Sequence, residues 1–150
     1  MFSRILCATN LDKASNEAVK KTVQLAHQYN SKIIMLNVHE DFMSKEEMGM
    51  LRVSLAGMKK VFEKIAIEAK NEMRKTISML STDNIKVEYI LRDGKPTTAI
   101  CKEAQKNNVD LIIMGVSEKN VVSNFLYRST ASYVIEHVKI PVMAVPIREE

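Results

Sequence analysis

Short apolar runs and helical stretches alternate along this chain, and that alternation leaves few folds open. Ile5-Leu6-Cys7-Ala8 is a short apolar strand ending in the polar turn Thr9-Asn10-Leu11-Asp12. Ala18, Thr22, Leu25 and Ala26 then recur at the three-to-four-residue spacing of a helix face, until Asn30-Ser31 stops them. Ile33 to Val38 is the second strand. Ile85, Val87, Tyr89 and Leu91 lie two apart and predict a third strand, buried mainly on one face. Gly94 marks a turn, and Pro96 suits the first position of a helix running through Ile100 and Ala104 to Asn107-Asn108. Asp110 to Met114 is the fourth strand; a loop starts at Gly115, a helix follows to about His137, and Pro141 to Pro146 is the fifth strand. Strands separated by helices imply right-handed crossovers and a parallel sheet covered on both faces.

The stretch from His39 to about Leu80 departs from this rhythm. Ser44-x-x-Glu47 has capping-box form. Met58, Phe62, Ile65, Ala69, Met73, Ile77 and Leu80 make a sustained apolar stripe, which predicts a long helix packed on the sheet. Gly49 and Gly57 fall where the preceding segment would break or hinge. Met43, Met48, Met50 and Met58 read as core filling ahead of an adaptable groove or lid.

Composition narrows the function classes. The 150 residues suit a single domain, 1–150, with one sizeable core. No apolar run approaches the roughly 20 residues of a membrane helix, and Met1 to Cys7 lacks the pattern of a signal peptide, so a cytoplasmic protein without membrane association is expected. Net charge is only +4, and Lys20-Lys21, Lys59-Lys60 and Lys64 are interspersed with acids such as Glu63 and Glu68. Nucleic acid is not an expected partner, because phosphate tracking needs a clustered basic stripe and base stacking needs more aromatics than 5% with no Trp. Cys7 and Cys101 lack Cys-x2-Cys spacing and read as small buried hydrophobes. His27, His39 and His137 are scattered; only His39 falls near a strand end. No nucleophile–base set and no metal-ligand spacing is visible.

The most specific pattern runs from Asp110 to Pro146. Gly115-Val116-Ser117-Glu118-Lys119-Asn120 follows an apolar strand, Ser129-Thr130 stands further on, and Ile140-Pro141-Val142-Met143-Ala144-Val145-Pro146 closes the stretch. With Ile5–Asp12, Ile33–Val38 and Gly94–Ala104, the chain resembles the universal stress protein family over nearly its whole length. ATP-binding members carry Gly-x2-Gly-x9-Gly-Ser/Thr at this place. This chain keeps Gly115 and Ser129 and has Glu118 and Arg128 at the other two glycine positions, a degenerate form of the motif.

The resemblance implies an α/β, doubly wound, five-stranded parallel sheet in the order 3-2-1-4-5 with helices on both faces, of adenine-nucleotide alpha-hydrolase-like type. Ligands of such sheets bind beyond the strand C-termini where strand order reverses, here between strands 1 and 4. Thr9-Asn10 and Met114-Gly115 are expected to face each other there. The nucleotide contacts so implied are Thr9, Asn10, Val38, Met114, Gly115, Ser117, Arg128, Ser129 and Thr130, with ATP and Mg²⁺ as the ligand class. Asn10 stands where the family has Asp in a Thr-Asp-x-Ser pattern, and Asp12 reads as a helix cap ahead of a ligand contact.

Glu118 brings a negative side chain towards the triphosphate position, where two like charges at 4 Å repel by roughly 4 kcal/mol. Arg128 either pairs with Glu118, the preferred reading, or clamps a phosphate. Ser129 either N-caps the last helix or meets phosphate oxygens, and the two roles are compatible. ATP affinity is therefore expected to be weak or absent, with slow hydrolysis at most. The last strand implies a homodimer through Val142 to Val145, with Pro141 and Pro146 bracketing a short register.

The resulting expectation is a dimeric cytoplasmic stress-response module, regulatory or protective, with a further protein partner. A competent ATP sensor is the alternative. A phosphoacceptor regulator would need a lysine after strand 5, where Ala144-Val145-Pro146 stands, and an adenylate-forming enzyme would carry His-x-Gly-His, which is absent.

Overall fold

The computed structural model describes residues 1–11, 15–40, 54–117 and 128–147; for Ser117, Arg128, Ser129 and Ile147 it describes the backbone alone. Among the described residues, nine elements follow in chain order: β1 (Arg4–Ala8), α1 (Asn16–Tyr29), β2 (Lys32–His39), α2 (Leu55–Ser78), β3 (Val87–Asp93), α3 (Pro96–Lys106), β4 (Leu111–Ser117), α4 (Arg128–His137) and β5 (Val142–Ile147). The five strands form one parallel sheet in the order β3-β2-β1-β4-β5, as expected.

Strand alternation sorts the core into two layers. Leu6, Ala8, Ile34, Leu36, Ile90, Ile112 and Met114 pack with Ile100, Cys101 and Ala104 of α3 and Ala131 and Val134 of α4. Ile5, Cys7, Ile33, Met35, Leu111 and Ile113 pack with Ala18, Val19, Val23 and Ala26 of α1 and Met73 and Ile77 of α2. The sheet is thus sandwiched, with α1 and α2 on one face and α3 and α4 on the other. Fully burying each large aliphatic side chain stabilises the fold by roughly 1.5–3 kcal/mol. Both cysteines are buried, in keeping with their reading as small hydrophobes.

The helix ends follow from local sequence. Asn30, in the left-handed conformation at φ 54°, ends α1 by donating its N–H to Ala26 O. Pro96 opens α3, where a missing N–H costs no helical bond. Ser54 caps α2 by accepting from the Gly57 N–H at 3.0 Å. Gly57 therefore lies in the first turn of that helix, and the segment it was expected to break lies outside the described residues. Residues 41–53, with Met43, the Ser44–Glu47 box, Met48, Gly49 and Met50, lie outside the described residues.

Four strand expectations need correction. Ile85 precedes β3, its N–H turned back onto Thr82 O at 3.0 Å. Within β3 the neighbours Ile90 and Leu91 are both buried, while Val87 and Tyr89 are half-buried, because helices cover both faces of the sheet there. Gly115 begins no loop: β4 continues to Ser117, held by the pairings Gly115–Val145, Val116–Pro146 and Ser117–Ile147. Pro146 accordingly lies inside β5 and does not end it.

A carboxylate closes the opposite end of the sheet. Asp110 accepts the Ser3 and Arg4 N–H groups at 2.8 and 3.0 Å, joining β1 to the start of β4. Among the described residues no helix is long and apolar enough to cross a membrane.

Candidate functional site

The chain runs outward from β1 through β2 to β3, then returns to place β4 on the other side of β1. Strand order reverses between β1 and β4, where Ala8 pairs with Met114. The residues that follow these two, Thr9 and Gly115, come side by side at the C-terminal edge of the sheet, as expected.

Thr9 is buried and held at three atoms. Its N–H donates to Leu36 O at 2.9 Å. Its Oγ1 accepts from the Leu11 N–H at 3.1 Å. Its carbonyl accepts from Asn37 Nδ2 at 2.9 Å. Leu11 takes φ 66°, so the chain leaves the sheet in a tight hydroxyl-supported turn with half-exposed Asn10 at its crest. Asp12 lies outside the described residues, and the N-cap position of α1 belongs to Ser15.

Val38 is half-buried near the end of β2 and packs against the α3–α4 layer. Met114 is fully buried, so its side chain belongs to the core and only its main chain faces the edge. Gly115 and Ser117 lie in the last stretch of β4. Arg128, Ser129 and Thr130 are the first three residues of α4, and Thr130 is buried. Ser129 is therefore the second helical residue, where the sequence suggested a cap just outside. Because α4 connects two parallel strands, its N-terminus returns to the edge occupied by Thr9 and Gly115. A first helical turn carries N–H groups without intrahelical partners and the positive end of the helix dipole.

His39 is half-buried at this edge, and its carbonyl accepts the Gly94 N–H at 3.1 Å. His137 Nδ1 meets Tyr133 O at 2.7 Å, and the two rings stack with centroids 3.8 Å apart. His27 contacts Ser81 O. Burial pushes the Cys7 thiol up to about 11, opposed by hydrogen bonding with Thr22, and burial also raises Cys101. Among the described residues no three His, Cys, Asp or Glu side chains gather as metal ligands.

A model of the universal stress protein family matches residues 1–146. The chain belongs to that family. It is 29% identical to universal stress protein MJ0577 of Methanocaldococcus jannaschii over 154 aligned positions, covering 97% of this chain and 95% of that one. The solved structure of MJ0577 superposes with a TM-score of 0.76 at 26% identity, covering 100% and 99% of the two chains. A universal stress protein in complex with cAMP shares the fold at TM-score 0.64 and 18% identity, each chain covered to 98%. So does an Arabidopsis thaliana family member with AMP bound, at TM-score 0.59 and 18% identity, covering 97% of this chain and 92% of that one.

Asn37 carries no motif. Its one mark in the sequence is being the single polar residue inside the run Ile33 to Val38.

Proposed function

We propose that this protein is a dimeric, cytoplasmic stress-response module of regulatory or protective type, with an edge site that takes adenine nucleotide weakly. The observation that carries the ligand reading is the Ala8–Met114 pairing, which brings the Thr9–Leu11 turn beside Gly115. The N-terminus of α4 comes to the same edge and suits an anion. Family members that hold cAMP and AMP support an adenine nucleotide as the ligand class. In this reading Thr9, Asn10 and Val38 flank the nucleoside, and Gly115, Ser117, Arg128, Ser129 and Thr130 approach the phosphates, with Mg²⁺ accompanying ATP. Met114 contributes main chain alone.

Weakness follows from two side chains. Glu118 and Arg128 stand where ATP-binding members have glycine, adding a negative charge and bulk where bare backbone would meet phosphate. Any hydrolysis of ATP is slow and secondary to binding.

The dimer reading rests on the contrast between the two sheet edges. Edge strand β3 carries Glu88, Arg92 and Asp93, whereas Val142 to Ile147 of edge strand β5 is uncharged. The Ile112 N–H donates to Pro141 O at 3.0 Å. The alternation of a parallel ladder then turns the N–H groups of Val142 and Ala144 outward, and Pro146 ends that row of donors. A second copy pairing along Val142 to Val145 uses this short row.

The test is titration of Mg-ATP into nucleotide-free protein, followed by calorimetry and amide NMR. Shifts at Thr9–Leu11, Gly115–Ser117 and Arg128–Thr130 that saturate only near millimolar ATP are expected. Micromolar saturation would make the protein a nucleotide-controlled switch and overturn the weak-binding reading. Unmoved amides at every concentration would remove the nucleotide site altogether.

A further inference from the structure

We propose that Asn37 is a positioning residue for the candidate nucleotide site, fixing the Thr9–Leu11 turn from beneath; the role rests on the nucleotide reading of that edge. Along β2, alternate residues Ile33 and Met35 point into the α1–α2 layer, and Asn37 continues that row at 7% exposure. A buried amide in such a row is costly unless its hydrogen-bonding groups are satisfied. Packing alone would be met by an aliphatic residue. The amide instead reaches across to the neighbouring strand and donates to the Thr9 carbonyl at 2.9 Å.

The place of that bond gives it its effect. The β1–β2 register ends at Ala8–Leu36, and the Thr9 N–H to Leu36 O bond is the last rung. One residue later the side chain of Asn37 supplies the donor to the Thr9 carbonyl. Thr9 is thereby held on its N–H by β2 main chain and on its carbonyl by a β2 side chain. Its hydroxyl is then left to receive the Leu11 N–H and support the φ 66° conformation of Leu11. Asn10, between these two residues, is carried to the edge by the turn they make. Asn37 touches no ligand position; it sets the backbone from which Asn10 and the Thr9 main chain would meet one.

The test compares wild type with Asn37→Leu, which keeps bulk and removes the donor. Three readouts are needed: thermal midpoint, hydrogen exchange at the Leu11 amide, and the Mg-ATP dissociation constant from amide shifts. Expected are a folded variant, Leu11 exchange faster by at least about tenfold with Ile113 unchanged, and ATP binding about tenfold weaker. Asn37→Ser gives the same readouts should the leucine variant fail to fold. A Leu11 amide as protected as in wild type, or an unchanged dissociation constant, overturns the positioning role while leaving the site reading intact. A wild-type protein whose amides ignore Mg-ATP overturns the site reading, and the positioning role falls with it.

Discussion

Glu103 of α3 is 3% exposed, and its Oε1 accepts from Arg92 Nε of β3 at 2.5 Å. Its other oxygen takes the Asn107 side-chain amide at 3.2 Å. The pair fastens edge strand β3 to the helix behind it, and its two ends are unequal, since the Arg92 side chain is 43% exposed. Removing the arginine strands a carboxylate in the core, whereas removing the carboxylate leaves a cation that water can reach. Arg92→Ala is expected to destabilise the fold by about 2–3 kcal/mol and Glu103→Gln by about 1 kcal/mol. Urea denaturation of both variants checks this, and equal costs would contradict the asymmetry.

The Cys7 thiol gives stability a slope at alkaline pH. Burial raises it from 9.0 to about 11, so the fold favours the protonated thiol. That preference stabilises the fold fully below pH 9.0 and is lost as pH rises towards 11. A rise of that size is worth at most about 3 kcal/mol. Cys7→Ala should flatten the fall of unfolding free energy across this window. All other groups are common to both proteins, so the difference between the two curves isolates the thiol. Parallel curves would show that Cys7 contributes nothing there.

Ala144 lies on the outer strand with its side chain exposed. In a dimer paired through β5, Ala144→Lys would place like charges close together across the two-fold axis. Light scattering is expected to give twice the chain mass for wild type and the single-chain mass for the variant, with unchanged circular dichroism. A wild-type protein that stays monomeric at high concentration would refute pairing through this edge.

Placing glycine at the two positions where the motif departs tests the proposed origin of weak binding. Glu118→Gly with Arg128→Gly should tighten Mg-ATP binding by about tenfold or more, since charge and bulk leave the phosphate approach together. Calorimetry on the single and double variants separates the contributions. Affinity that falls in the Arg128→Gly protein would identify the guanidinium as a phosphate clamp instead.

The arrangement of the sheet was legible because it rests on coarse patterns. Apolar runs such as Ile5–Ala8 and Ile33–Val38 are buried on both faces, and helix stripes such as Ala18–Thr22–Ala26 keep their period. Strand ends were less legible, because a partner strand decides them: Gly115 and Pro146 read locally as punctuation, yet the β4–β5 ladder runs through both. In the same way Ile85, apolar and in register with Val87, is taken by the turn at Thr82. Asn37 was invisible for another reason. Its meaning lies in a carbonyl 28 residues away, which the sequence alone does not bring near.

The strand at the centre of the sheet is also the first to leave the ribosome. Ser3 meets the Asp110 carboxylate across 107 residues of chain. Synthesis of that interval takes roughly 5–20 s. Until β4 is made, β2 alone is available to pair with β1, and the opposite border of β1 keeps unpaired main-chain N–H and C=O groups. A β1 that pairs with β2 before β4 is made therefore offers an open strand edge to any other emerging chain.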